Sequence, residues 1–209
     1  PENPYEEFDL ADTLLGDYFT QYDPIRQRQV PYGHLGNLGT AHYPLIFQPS
    51  ERQGFEMGFH QFDLYRLSVS RLPFYRLEQA HTRADFSPGL DQENTVFNLE
   101  FGAPLGKDIT LALEFHRINN EGAFNFQRTQ ASAFATGIRY QHPNRRYQFF
   151  ATYGSNSNRN ENNGGIEEEP TTGGEVILTE PFTIGVNLQD PIVRYANRAF
   201  DFRHFYDLI

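Results

Sequence analysis

The sequence predicts an all-β protein built of antiparallel strands, and three observations support this prediction. The 209 residues include 20 Phe and 12 Tyr, and aromatic rings of this kind are enriched in strands. In several segments, apolar and polar residues alternate, as they do in a strand that buries one face. No run of apolar residues is longer than three, which excludes the roughly 18 consecutive apolar residues of a membrane-spanning helix.

The first predicted hairpin lies in the middle of the chain. From Asn94 to Phe101 every second residue is large and apolar, and the same period returns from Ile109 to Arg117. The connector Gly102 to Asp108 contains two Gly and one Pro, which favour a turn.

A second predicted hairpin follows. Its strands run from Ala131 to Gln141 and from Arg146 to Gly154, and His142 to Arg145 supplies a tight turn. Phe182 to Leu188 forms a short alternating piece. Ala199 to Ile209 begins a further strand pattern, which we interpret as continuing beyond the last residue of the chain.

The predicted connections alternate in length. The turns at Gly102 to Asp108 and His142 to Arg145 are short, whereas Ile118 to Gln130 is long and a longer loop starts at Ser155. Because Ser155 to Gly165 is rich in Asn and Gly, we expect an exposed loop there. Short turns at one end and long polar loops at the other are typical of a transmembrane β-barrel, of which this chain would be a part.

The N-terminal region differs from the rest. Residues 1–53 are predicted to be an acidic, irregular segment, and residues 54–209 to be the first strands of the barrel, with Gly54 to Arg71 as a strand. Pro1 to Ile25 carries seven carboxylates and no basic residue, within a formal net charge of -10. This charge excludes nucleic acid as a general partner. We expect that a leader segment preceded Pro1 and was removed.

The alternating strands have one face of large apolar side chains and one of small and polar side chains. In a barrel the first face would meet lipid and the second a hydrated lumen. The predicted lumen-facing residues are Asn98, Glu100, Thr110, Glu114, His116 and Arg139. The predicted lipid-facing residues are Phe97, Leu99, Phe101, Ile109, Leu111, Leu113, Phe115, Phe134, Ile138, Tyr147 and Phe149.

Several short segments resemble the β-barrel porin family of the Bacteroidetes outer membrane, and the resemblance extends over nearly the whole chain from about Leu10. These segments are Asp12–Leu14, Tyr22–Pro24, Leu35–Gly39, Asn119–Phe124, Asn144–Tyr147, Asn163–Ile166 and Val186–Asp190. The resemblance implies an outer-membrane location, and it implies that these residues form roughly the first third of a larger barrel.

The sequence offers little for catalysis or metal binding. The seven His residues show no HxxxH spacing and Cys is absent, so we expect no metal and no cofactor. Glu114 and His116 share a strand face and could act as an acid and a base, although we favour the interpretation that they are two polar groups lining a lumen. We expect no enzymatic activity. The glycine-rich stretch Gly33 to Gly39 lacks phosphate-loop spacing and is predicted to be a structural turn.

The expected function is passive diffusion of small hydrophilic solutes through the outer membrane of a Gram-negative bacterium. The expected partners are outer-membrane lipid, such solutes and other outer-membrane proteins. One alternative is a barrel filled by its own loops or N-terminal segment, which would serve a membrane assembly as a structural or binding subunit. A soluble surface module that binds glycans is a further alternative.

Overall fold

Six long strands form one antiparallel sheet in the computed structural model, which describes residues 31–47, 58–89, 93–167, 171–172, 175–176, 184–189 and 191–207. The strands of the chain are β1 (Tyr32–His34), β2 (His42–Pro44), β3 (His81–Pro88), β4 (Thr95–Pro104), β5 (Ile109–Asn120), β6 (Thr129–Gln141), β7 (Tyr147–Glu161), β8 (Thr171–Thr172), β9 (Glu175–Val176) and β10 (Ile192–Tyr206). The predicted all-β, antiparallel fold class is confirmed.

The large sheet has the order β10-β7-β6-β5-β4-β3. Each strand from β3 to β6 pairs with the next along the chain, and β10 adds to the free side of β7. Small two-stranded pairs, β1 with β2 and β8 with β9, lie outside it. Among the described residues β3 and β10 do not pair with each other, so the sheet is open, as part of a barrel would be.

The connections of the sheet differ between its two ends. At one end, residues 105–108 join β4 to β5 and residues 142–146 join β6 to β7. At the other end the connections are residues 89–94, 121–128 and 162–191. We call these the short-turn end and the long-loop end, and the predicted asymmetry of connection length is confirmed.

A segment without strands, residues 58–80, crosses one face of the sheet, and we call it the strap. It contains two short 3-10 turns, Asp63–Tyr65 and Val69–Arg71. We call the face that it covers the inner face and the opposite one the outer face. None of the helices among the described residues is long and apolar enough to cross a membrane.

The buried core lies between the strap and the inner face. Towards the short-turn end, Leu72 and Phe74 of the strap pack with Ala112, Ala135 and Phe150, each at most 2% exposed. Towards the long-loop end, a second cluster consists of Phe62, Leu64, Tyr65, Ile118 and Ala131, with partly buried residues of the β1–β2 hairpin against it. Burial of these side chains, at about 25 cal/mol for each Å² of apolar surface, holds the strap on the sheet.

Glycines on three strands make this close approach possible. A Cβ atom added to Gly137 would lie 2.8 Å from the Cζ atom of Phe74, and one added to Gly154 would lie 2.7 Å from the Cγ1 atom of Val69. On β4, a Cβ atom at Gly102 would meet Leu77 at 2.8 Å. At these three positions the strap occupies space that a side chain of the sheet would otherwise fill.

The strand predicted for Gly54 to Arg71 is wrong over its described part, because residues 58–71 form no strand. This segment lies across the sheet instead of extending its edge, so its backbone has no neighbouring strand to pair with. The chain forms β3 only afterwards, and this strand is not among those predicted from the sequence.

The exposed loop predicted for Ser155 to Gly165 is also wrong in its first half. Strand β7 continues to Glu161, and Asn156, Asn158 and Asn160 are buried on the inner face. The amides of Asn156 and Asn158 bond to backbone groups of Leu67 and Gly39, so asparagine extends the strand instead of ending it. Of the alternating piece from Phe182 to Leu188, residues 182–183 lie outside the described residues, and the rest forms only a single bridge, between Val186 and Ile166.

Substitution of Gly137 tests the packing of the strap on the sheet. In Gly137→Val the new side chain would collide with Phe74 and Leu72, and overpacking of this kind costs about 1–3 kcal/mol. We expect the free energy of unfolding, measured by urea titration, to fall by this amount. The control is Ser132→Val, on the outer face of the same strand. Equal stability of both variants would contradict the packing described above.

Candidate functional site

The six residues predicted to face a lumen all lie on the inner face, on the three adjacent strands β4, β5 and β6. Across β4 and β5, Asn98 stands opposite His116 and Glu100 opposite Glu114. Across β5 and β6, Thr110 stands opposite Arg139. The register therefore brings these side chains to one surface. That this surface faces a lumen stays a prediction.

Two carboxylates form the centre of this surface. Glu100 and Glu114 are directly opposite each other, an arrangement of like charges that destabilises a sheet unless other groups offset it. Arg83 of β3 stands opposite Glu100 on its other side, and its Nε atom lies 3.1 Å from the Oδ2 atom of Asp85. The inner face thus carries interleaved charges of both signs across three strands.

The strap contributes Tyr75 to this group. Burial, and after it the nearby carboxylates of Glu100 and Glu114, raise the pKa of the Tyr75 hydroxyl to about 12. The phenol therefore remains protonated at neutral pH and donates a hydrogen bond to Glu100. The strap covers the acidic pair with a neutral donor and adds no further charge to it.

Arg139 lies nearer the short-turn end and is only 5% exposed. Its Nη2 atom donates to the Oε1 atom of Gln141 over 3.3 Å, and its guanidinium carbon lies 5.9 Å from the centre of the Phe150 ring. A guanidinium on an aromatic face keeps its charge while its edge remains directed at polar groups. The inner face therefore has a cationic group displaced along the sheet from the acidic pair.

The eleven residues predicted to face lipid all lie on the outer face. Neighbouring strands bring their rings together, with 6.1 Å between the ring centres of Phe97 and Phe115. On β10 the same face continues with Phe200 and Phe202, which are 69% and 68% exposed. Both buried clusters among the described residues lie on the opposite face. Towards the short-turn end the outer face is thus apolar and uncovered, whereas Arg117, Arg159 and Arg194 lie on it towards the long-loop end. Its contact with lipid stays a prediction.

Three polar side chains that bind the strap and the β1–β2 connection to the inner face are not among the site residues predicted from the sequence. The Oδ1 atom of Asn156 accepts from the N–H of Leu67 over 2.9 Å, and its Nδ2 atom donates to the Leu67 carbonyl over 3.1 Å. Asn158 donates to the carbonyl of Gly39 and Thr129 to that of Leu38. The signal that could have identified two of them is the period-two placement of asparagine from Asn156 to Asn160.

The acid–base pair considered for Glu114 and His116 occupies one face of β5, two residues apart. His116 stands beside Asn98, whereas Glu114 stands beside Glu100. Within the described ranges, no group of three or more His, Asp or Glu residues is placed to hold a metal ion. The absence of enzymatic activity, metal and cofactor remains an expectation.

Asn156 offers a direct test of how the strap is attached. In Asn156→Asp a carboxylate oxygen replaces the amide donor and faces the Leu67 carbonyl, so the hydrogen bond is lost and two acceptors meet. Loss of a buried hydrogen bond of this kind costs about 1–3 kcal/mol. We expect faster proteolysis within residues 58–80. Ser157→Ala, on the outer face of the same strand, is the control. Unchanged cleavage in Asn156→Asp would contradict the attachment.

Comparison with known proteins identifies the family. The model of a family described as "Putative porin" matches residues 4–208. No curated protein and no solved structure matches the chain. The matched range includes the strap, every strand of the large sheet and both the inner and the outer face. The chain therefore belongs to this porin family.

Proposed function

We propose that the full-length protein is an outer-membrane β-barrel through which small hydrophilic solutes diffuse passively. The observation that carries the proposal is the contrast between the two faces of the sheet. The outer face presents uncovered aromatic and aliphatic side chains, and large apolar surfaces of this kind mark contact with another apolar phase. The inner face carries Glu100, Glu114, Arg83 and Arg139.

The backbone supports the same proposal. In lipid every N–H and C=O group must find a partner within the protein, which an antiparallel ladder provides when the sheet closes. Strands β4 to β7 and β10 contain 10 to 15 residues, long enough for the roughly 9–11 residues that a tilted strand needs to cross the hydrocarbon layer. In a closed barrel, further strands would pair with the edge strands β3 and β10.

A second candidate function is favoured by the strap. Leu72 and Phe74 are each 1% exposed against the inner face, so a lumen bounded by this face is filled along part of its length. A barrel narrowed in this way still conducts, whereas a barrel filled completely acts as a structural or binding subunit of a membrane assembly. Neither candidate leaves the apolar outer face in water, as a soluble glycan-binding module would.

Leu113 tests the orientation of the sheet in the membrane. It lies on the outer face between Phe101 and Thr136. An arginine at the bilayer midplane of a β-barrel costs about 2–4 kcal/mol, so Leu113→Arg should fold poorly into lipid vesicles. Folding is measured as the fraction of protein whose gel mobility in SDS changes on boiling. Leu113→Met is the size-matched control. Equal folding of both variants would contradict a lipid-facing outer face.

Single-channel recording in planar bilayers tests whether the lumen is open. We expect stable current steps from the full-length protein, and we expect Glu114→Arg to move the reversal potential towards anion preference, because the charge of a lumen wall selects ions. Glu167→Arg makes the same change of charge at an exposed residue of the long-loop end and serves as the control.

The outcomes separate the two candidate functions. Steps with a shifted reversal potential support the open barrel, and steps with an unchanged reversal potential exclude Glu114 from the conducting path. Absence of steps in the native protein, with steps in Gly137→Val, would identify the strap as a plug. Absence of steps in both would reject diffusion through this lumen.

A further inference from the structure

A polar cavity of about 410 Å³ opens at the short-turn end of the sheet. Its walls are the turn at residues 105–108, the turn at residues 142–146 and the last part of the strap, and inner-face residues Thr110, Arg139 and Gln141 also line it. None of the functions proposed above uses this cavity.

Cationic side chains dominate the lining. Arg76, Lys107, Arg139 and Arg145 line the cavity together with His142, and Asp108 is the single carboxylate among the lining residues. The whole chain has a net charge of -10, and Lys107 is its only lysine. In a chain with such an excess of acidic residues, this concentration of positive charge needs a physical reason.

Three of the cationic side chains that line the cavity are not paired with a carboxylate of the described residues. Within the part of the chain that the structure describes, Arg76, Lys107 and Arg145 form no ion pair. Several cations around one small cavity repel each other, and an anion between them removes this repulsion. The lining is therefore suited to an anionic occupant.

The two turns form a fixed frame for these side chains. The N–H of Gln141 donates to the carbonyl of Asp108 over 2.8 Å and joins one turn to the other. In the second turn, the Oδ1 atom of Asn144 accepts from the N–H of Arg146 over 3.0 Å. Arg145 adopts a positive φ of 60°, a conformation that favours Gly or Asn over a long side chain.

The positive φ of Arg145 belongs to the hairpin turn, in which the N–H of Arg145 donates to the carbonyl of His142 over 2.7 Å. The turn places a guanidinium in the lining of the cavity. Arg139, 5% exposed, contributes a second guanidinium, and the planar arrangement of donors in this group matches the oxygens of phosphate and carboxylate.

We propose that this cavity is a binding site for a small soluble oxyanion, either phosphate or the carboxylate of a hydrophilic solute. The cavity is lined by residues of the strap and of the inner face, whereas lipid would contact the outer face. The bound anion would therefore come from a soluble molecule and not from a phospholipid headgroup. The position of the cavity at one mouth of the lumen rests on the proposed function. Anion binding itself does not depend on conduction.

Calorimetric titration of the folded full-length protein with phosphate, in a zwitterionic detergent, tests the proposal. We expect saturable binding of one phosphate, with succinate competing. Lys107→Gln and Arg145→Asn should each weaken binding about tenfold or more, because each removes a charge-assisted hydrogen bond. Asn tolerates the positive φ at position 145, so that variant should retain its fold. Arg117→Gln, exposed on the outer face, is the matched control.

Further measurements distinguish a soluble anion from a lipid headgroup, and they separate the anion site from the proposed diffusion through the lumen. Micelles containing phosphatidic acid should not displace phosphate; binding of phosphatidic acid by a protein that binds no free phosphate would overturn the proposal. Absence of phosphate and succinate binding would do the same, as would equal weakening by Arg117→Gln. Phosphate binding to a protein that gives no current steps would support the site and reject diffusion, whereas steps without binding would reject the site alone.

Discussion

The small side chains of β6 are the constraint on which the rest of the structure depends. Ala131, Ala133, Ala135 and Gly137 occupy every second position on its inner face and are all buried. Because none of them extends far from the sheet, the strap can lie against the backbone of the central strands. Larger residues at these positions would lift the strap and open both buried clusters, since cores tolerate added volume poorly.

This close contact separates the roles of the two faces. The inner face buries aliphatic and aromatic groups of the strap beside charged groups of β3 to β6, so its polar residues are held in defined places. The outer face has a continuous array of side chains without a covering layer, and its rings interact chiefly with one another across strands. One sheet thus has an inner face whose polar side chains are held by defined contacts, and an outer face whose rings contact mainly one another.

The strands from Thr95 to Phe150 could be predicted from the sequence because side-chain alternation is a local property with a period of two. The same period assigned all seventeen candidate residues to two faces before their neighbours were known, and the register agrees with that division. The path of the strap could not be predicted in this way, because it depends on contacts with residues far along the chain. Asn156 illustrates the limit: in sequence it belongs to a polar, loop-like stretch, and only its contact with Leu67 explains why it is buried.

The separation in sequence between the strap and its attachments also has a consequence for the order of folding. Asn156 and Leu67 are 89 residues apart, and Asn158 and Gly39 are 119 residues apart. The hairpins β4–β5 and β6–β7 close instead over turns at residues 105–108 and 142–146. Because closing a long loop costs more chain entropy than closing a short one, we expect the hairpins to form first and the strap to dock onto a sheet that already exists. Water would then hydrate the inner face while the strands pair and leave it when the strap docks.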